Sequence, residues 1–234
     1  MKIGILQAGY VTESLAKTYG QYPEMFQRLL AGNGFEFETF VVVADEFPRN
    51  VNTCDGWLIT GSGDGAYEPH AYIPKLEALI RAIYAAEIPL VGICFGHQIM
   101  AQALGGKVTQ FEAGWNIGQI RYESSSGNVR CLAMHQDQVV IAPANSEVIA
   151  SSEFCANAGR NGFKALSYQF HPEFSPEYTR DSIAAKSGSS LSEDQAEKAI
   201  STIGESNDSD QIARQLAEFF ISANQARQNS EEAI

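Results

Sequence analysis

The run Leu90-Val91-Gly92-Ile93-Cys94-Phe95-Gly96-His97-Gln98 constrains this chain more than any other. An apolar strand ends in Gly-x-Cys-x-Gly and passes at once into the helix-forming stretch Gln98 to Leu104. Glycines on both sides permit a sharp strand-to-helix turn that lifts the residue between them out of the sheet. The pattern predicts an α/β structure with a cysteine at a helix N-terminus. Unpaired backbone N–H groups and the helix dipole favour the thiolate there, and the thiolate is the attacking species. A plainer reading stands beside this one, because free cysteines are commonly small core residues.

A second segment tips the balance. In Tyr168-Gln169-Phe170-His171-Pro172-Glu173-Phe174 a short apolar strand delivers His171, and Pro172 keeps the chain extended. Glu173 then falls on the same side, two residues on. A histidine with a neighbouring carboxylate is the base-and-orienter half of a nucleophilic triad. A structural His-Glu pair at a strand end is the alternative. Two halves of one mechanism in one short chain favour catalysis.

These two segments together resemble the signature of class I glutamine amidotransferases. The similarity extends from Met1 to about Tyr178 and includes the glutaminase domains of GMP synthase and carbamoyl phosphate synthetase. It also includes free-standing members such as the plant γ-glutamyl peptidases. The resemblance implies Cys94 as nucleophile, His171 as general base and Glu173 as the residue orienting it. It implies an oxyanion hole formed by the Phe95 N–H and by the loop Gly61-Ser62-Gly63-Asp64-Gly65, with Gly61 or Ser62 as the loop donor. Gly63 stands where family members usually carry proline, which makes the loop more pliable.

Gln98, one helical turn past Cys94, is implied to hold substrate. Met134-His135-Gln136-Asp137-Gln138-Val139 resembles the family's Ser-His-x-Asp-x-Val segment, so Met134 and Gln136 are implied to line the substrate pocket. The implied substrate is L-glutamine or another γ-glutamyl compound, with no metal or organic cofactor. The glycine-rich loop lacks Gly-Lys-Ser/Thr and is not a P-loop. Cys94, His97, His135 and Asp137 fit no recognised zinc spacing. Glu112-Ala113-Gly114-Trp115 also matches a family segment, and no chemical role is assigned to it.

Length and charge narrow the partners. The 234 residues, 44% hydrophobic, suit a single α/β domain spanning 1–234 with a sizeable core. A net charge of −12 disfavours nucleic acid and anionic membrane surfaces. Cys54, Cys131 and Cys155 show neither disulfide density nor Cys-x-x-Cys spacing and are expected to be inert packing residues. A strand begins at Met1 with no signal-peptide pattern, and no apolar run approaches the roughly 20 residues of a membrane span. The expected compartment is a reducing cytoplasm.

Along the chain, strands are expected at Lys2–Leu6, Phe35–Val43, Gly56–Thr60 and Leu90–Ile93, with helices at Glu24–Leu30 and Ile73–Ala86 between them. This alternation predicts an open, mostly parallel sheet with helices on both faces, the flavodoxin-like arrangement of the resembled family. Strands at Lys107–Gln110, Ile117–Glu123, Val139–Ile141, Glu147–Ser151 and Ala165–Phe170 form a partly antiparallel second half. A helical C-terminal extension, 181–234, is expected to hold helices near Asp194–Ile203 and Asp210–Ala223. It carries ten Asp/Glu against four Lys/Arg, half the net charge. It would serve as a partner surface or as a lid over the core.

The chain has neither a Ser-Gly-Gly-x-Asp-Ser ATP-pyrophosphatase loop nor room for a synthetase domain. Either a separate synthase subunit accepts the ammonia, or the chain is a free-standing hydrolase of γ-glutamyl compounds. An inactive binding module is the third reading, and the intact Cys94, His171 and Glu173 count against it.

Overall fold

The computed structural model describes residues 1–125, 127–162 and 164–232. In chain order the first half runs β1 (Lys2–Leu6), α1 (Glu13–Tyr19), α2 (Tyr22–Leu29), β2 (Glu36–Phe40), β3 (Gly56–Ile59), α3 (Tyr72–Ala85), β4 (Leu90–Ile93) and α4 (Phe95–Ala103). The second half adds β5 (Lys107–Gln110), β6 (Asn116–Ser124), β7 (Val129–His135), β8 (Asp137–Ile141), β9 (Ser146–Ser151), β10 (Gly159–Gly162) and β11 (Ala165–Tyr168). Helices α5 (Pro176–Lys186), α6 (Glu193–Ser201) and α7 (Ser209–Glu232) follow.

Nine strands form one sheet in the order β2-β1-β3-β4-β11-β10-β9-β6-β7, and β5 pairs with β8 in a separate ribbon. From β2 to β11 every pairing is parallel; from β11 to β7 every pairing is antiparallel. Strand residues alternate between two hydrophobic clusters, as the two-residue period of a strand requires. Trp57, Ile59 and Leu90 join α3 and α4 in one cluster, while Ile3, Ile5, Leu58, Val91 and Ile93 join α2 and α7 in the other. The expected open α/β sheet with helices on both faces is the observed architecture.

Several boundaries differ for local reasons. Phe35–Val43 yields a strand only at Glu36–Phe40, because Val42–Ala44 is a 3-10 turn and Asp45 takes a left-handed φ of 68°. The second helix starts at Tyr22, two residues before the expected Glu24, where a Gln21–Glu24 capping box closes its N-terminus. Strand β7 was not expected: Cys131 and Leu132 are buried in different clusters, so both faces are covered and no alternation marks it. Helix α5 was also unexpected, since two of its four buried residues, Thr179 and Ser182, are polar. Strand β10 and helix α1 escaped as well, the first Gly-Arg-Asn-Gly, the second with no buried residue.

The C-terminal helix is a layer of the core. Ile212, Ala213, Leu216, Ala217 and Phe220 form one buried helical stripe against the sheet. Phe220 is fully buried and meets Phe35 edge-on at 6.0 Å. Phe220→Ala is expected to lower unfolding stability by about 3–5 kcal/mol, the cost of emptying a large aromatic site. Urea denaturation checks this; a loss within experimental error would mean that α7 only rests on the surface.

Candidate active site

The elbow forms where β4 meets α4. Cys94 has φ 55° and ψ −104°, a sparsely populated conformation for a side-chain-bearing residue. The strain therefore sits on the cysteine, while the glycines serve by lacking a Cβ. A Cβ on Gly96 would lie 2.4 Å from the Ile59 carbonyl oxygen, and one on Gly92 would lie 2.5 Å from the Gly96 oxygen. Helix α4 can start this close to β3 and β4 only with both positions bare.

Parallel pairing of β4 with β11 brings the second segment alongside. The Cys94 N–H donates to the Tyr168 carbonyl at 2.8 Å, and the His171 N–H donates to the Leu132 carbonyl at 2.8 Å. The His171 ring is fixed between two partners. Its Nδ1 lies 2.7 Å from Glu173 Oε1, and its face stacks on Phe174 with ring centroids 3.8 Å apart. On its other side the Cys94 sulfur lies close enough to act on the charge of the ring. All three side chains are buried.

Burial opposes a charged imidazole, yet the Glu173 carboxylate and the Cys94 sulfur outweigh it and raise the His171 pKa from 6.5 to about 10. Glu173 Oε2 is buried without a hydrogen-bond partner, so the carboxylate depends on His171 for compensation. The folded pKa exceeds the unfolded one. This contribution to stability is therefore complete below pH 6.5 and is lost as pH rises toward 10. Unfolding of the wild type and of His171→Gln, compared at pH 6 and pH 10, should show the stability difference shrinking at the higher pH; a difference that grows would contradict the pairing.

Gly61 lies directly over this pair: a Cβ there would stand 3.1 Å from His171 Cε1 and 3.9 Å from Cys94 Cβ. Ser62 Oγ accepts the Asp64 N–H at 3.1 Å. Phe95 opens α4, so its N–H has no intrahelical acceptor. The Gly61–Ser62 loop and the start of α4 thus flank the cysteine.

Gln98 reaches the same cavity, but both hydrogens of its amide serve the protein. They bond the Asp137 carbonyl at 2.9 Å and Gln169 Oε1 at 3.2 Å. Gln169 in turn donates to Cys94 Sγ at 3.7 Å. Only the Gln98 oxygen is left for a ligand. The sequence reading assigned no role to Gln169, because an outward amide and a buried relay look alike in a strand of alternating polarity. Met134 and Gln136 also line the cavity, with Met134 Sδ accepting from Ser182 and Gln136 Oε1 accepting from Gln110.

Cys94, His97, His135 and Asp137 do not converge on a metal position. His97 bonds Ser167 at 2.9 Å, and His135 bonds Asn116 and the Asp137 carbonyl. Burial depresses their pKa values to about 3 and about 4, so both rings are neutral. Among the described residues, Asp64, Glu68 and His70 alone bring three such groups within ion-binding reach, and Glu68 already bonds His70 and the Gly65 N–H. The other three cysteines are buried free thiols. Burial raises Cys54 to about 11, Cys155 to about 12 and Cys131 as well, which leaves them unreactive.

A strained cysteine on a strand-to-helix elbow, beside a buried His-Glu pair at the C-terminal edge of a parallel sheet, has the arrangement of an α/β nucleophile-elbow hydrolase. Residues 15–188 match the family model "Glutamine amidotransferase class-I", and the chain belongs to that family. It is similar to Gamma-glutamyl peptidase 4 of Arabidopsis thaliana, 31% identical over 219 residues, which cover 85% of this chain and 86% of that protein. A GMP synthase [glutamine-hydrolyzing] of Caldicellulosiruptor saccharolyticus is 34% identical over 128 residues, 50% of this chain but 24% of that enzyme. The fold matches the crystal structure of a glutamine amidotransferase from Thermotoga maritima, with TM-score 0.71, 22% identity, and 95% and 97% of the two chains covered. The described residues contain no helix long and apolar enough to cross a membrane.

Proposed function

We propose that this protein hydrolyses the side-chain amide bond of γ-glutamyl compounds through a thioester on Cys94. The observation that carries this reading is the buried Glu173–His171–Cys94 contact chain on a strained elbow. With the proton of the pair resting on His171, the Cys94 sulfur attacks the γ-carbonyl. The oxyanion develops between the Phe95 N–H and the Gly61–Ser62 loop, where fixed donors contribute about 3–4 kcal/mol. His171 gives its proton to the departing nitrogen as the C–N bond breaks, leaving a γ-glutamyl thioester and a free amine, or ammonia when glutamine reacts. A water then passes a proton to His171 and attacks the thioester; glutamate leaves, and the sulfur with protonated His171 is restored. The raised His171 pKa makes the imidazolium the resting form, so proton donation is its first act. No residue of the set calls for a metal or an organic cofactor.

Two readings of the leaving group follow: ammonia handed to a separate synthase subunit, or an amine released by a free-standing peptidase. The cavity at Cys94 encloses about 500 Å³, the scale of ligands larger than a single amino acid. That volume, with the near full-length similarity to a γ-glutamyl peptidase, favours the second. The buried free thiols fit a reducing cytoplasmic setting. Purified protein assayed for glutamate release from L-glutamine and from γ-glutamyl amino acids should prefer the latter. Efficient turnover of glutamine alone, with the dipeptides inert, would return the protein to ammonia supply.

A further inference from the structure

Charge is distributed unevenly around this cavity. Asp64, Glu68 and Asp137 gather on one flank, tied together through the β3–α3 loop: the Gly65 N–H donates to Glu68, and Tyr67 Oη donates to Asp137 at 3.1 Å. Lys186, the one lysine or arginine lining the cavity among the described residues, comes from the far end of α5. That helix reaches the site by a different route, with Tyr178 packed edge-on against Phe174 and Ser182 touching Met134. The Lys186 ammonium has no hydrogen-bond or ion-pair partner among the described residues, although the chain carries a net charge of −12. The same cavity is lined by the aromatic residues Tyr10, Tyr22, Trp115 and Phe174. Tyr10 and Tyr67 are the two exposed aromatics of the described chain, 57% and 46% accessible, and both lie on this cavity.

We infer that the amine half of the substrate is an amino acid with a free carboxylate and a bulky apolar side chain, and that Lys186 binds that carboxylate. This rests on the γ-glutamyl hydrolysis proposed above. A γ-glutamyl amino acid carries an α-ammonium and an α-carboxylate at its glutamyl end and a second carboxylate at the other, with the scissile amide between them. Laid across Cys94, its α-ammonium meets the acidic flank and its distal carboxylate meets Lys186. The aromatic lining covers the side chain of the departing residue. The leaving group of glutamine, ammonia, has nothing to offer Lys186, and neither does a simple amine.

The test compares γ-L-glutamyl-L-phenylalanine with γ-L-glutamyl-phenethylamine, which differ only by the distal carboxylate. Wild-type kcat/KM should favour the acid by about tenfold, the scale of one charge-assisted hydrogen bond. In Lys186→Met that ratio should fall to near one, carried by KM. Lys186→Arg should restore most of it. Lys186 is a half-buried residue at a helix end, so neither change threatens the fold. Equal turnover of the two compounds by the wild type, or a ratio unchanged in Lys186→Met, would overturn the assignment of Lys186 while leaving γ-glutamyl hydrolysis in place. If glutamine alone is cleaved, the underlying reading fails and takes this one with it.

Discussion

Cys94→Ala will fold normally and release no glutamate from any γ-glutamyl compound. The elbow is set by the bare positions at Gly92 and Gly96, and alanine relieves part of the bulk at a residue held at φ 55°. Chemistry without the sulfur has no route to a thioester, so kcat should drop by about six orders of magnitude, to the level left by binding and the oxyanion donors. His171→Ala should fall nearly as far, because the members of such a unit act together. Glu173→Gln should lose roughly two orders less, since the carboxylate orients and charges the imidazole without touching the reacting atoms. The measurement is initial rates under saturating substrate, with intact-protein mass spectrometry to seek the γ-glutamyl adduct. Substantial activity in folded Cys94→Ala would falsify the mechanism. A Glu173→Gln defect deeper than that of His171→Ala would reverse the roles of the pair.

Gly96→Ala will destabilise the protein by about 3 kcal/mol or more and abolish activity in whatever remains folded. The added methyl would lie 2.4 Å from the Ile59 carbonyl oxygen and 3.0 Å from its carbon. That obstacle is backbone, held in β3 between β1 and β4, and it has no rotamer with which to yield. Any relief must move α4 away from β3, and Ile59 is two residues from Gly61, so the Gly61–Ser62 loop moves too. Gly63→Ala is the matched control. A Cβ there meets nothing within 4 Å, and the substitution should be neutral or slightly stabilising. Thermal melts of the two variants side by side decide the point; similar melting temperatures would mean that the elbow tolerates a wider approach than its geometry indicates.

Local chemistry made the geometry around Cys94, His171 and Glu173 legible. Gly-x-Cys-x-Gly and His-Pro-Glu are short, and each encodes its own geometry: bare flanks for a turn, and an extended step that returns a carboxylate to its histidine. Strands β1, β3 and β4 were legible as short, mostly apolar runs bounded by turn residues, and α3 by apolar spacing at the helical period. The elements that were not legible are those whose partners are distant. Strand β7 is covered on both faces by clusters that join residues far apart in sequence, and β10 is a Gly-Arg-Asn-Gly strand held by its neighbours on either side.

Tertiary structure alone decided how the site is tuned. Nothing in the order of residues says that Gln98 spends its amide on Asp137 and Gln169, or that Gln169 reaches the cysteine sulfur. Nothing there says that α7 is a core layer, since a helical stripe predicts burial but not against which surface. The charge state of His171 belongs to the same class. A His-x-Glu sequence permits the pair, but its buried setting, with one carboxylate oxygen left to the imidazole, is what raises the pKa. The residue types of the chemistry follow from the chain; their electrostatics follow from which distant surfaces exclude water around them.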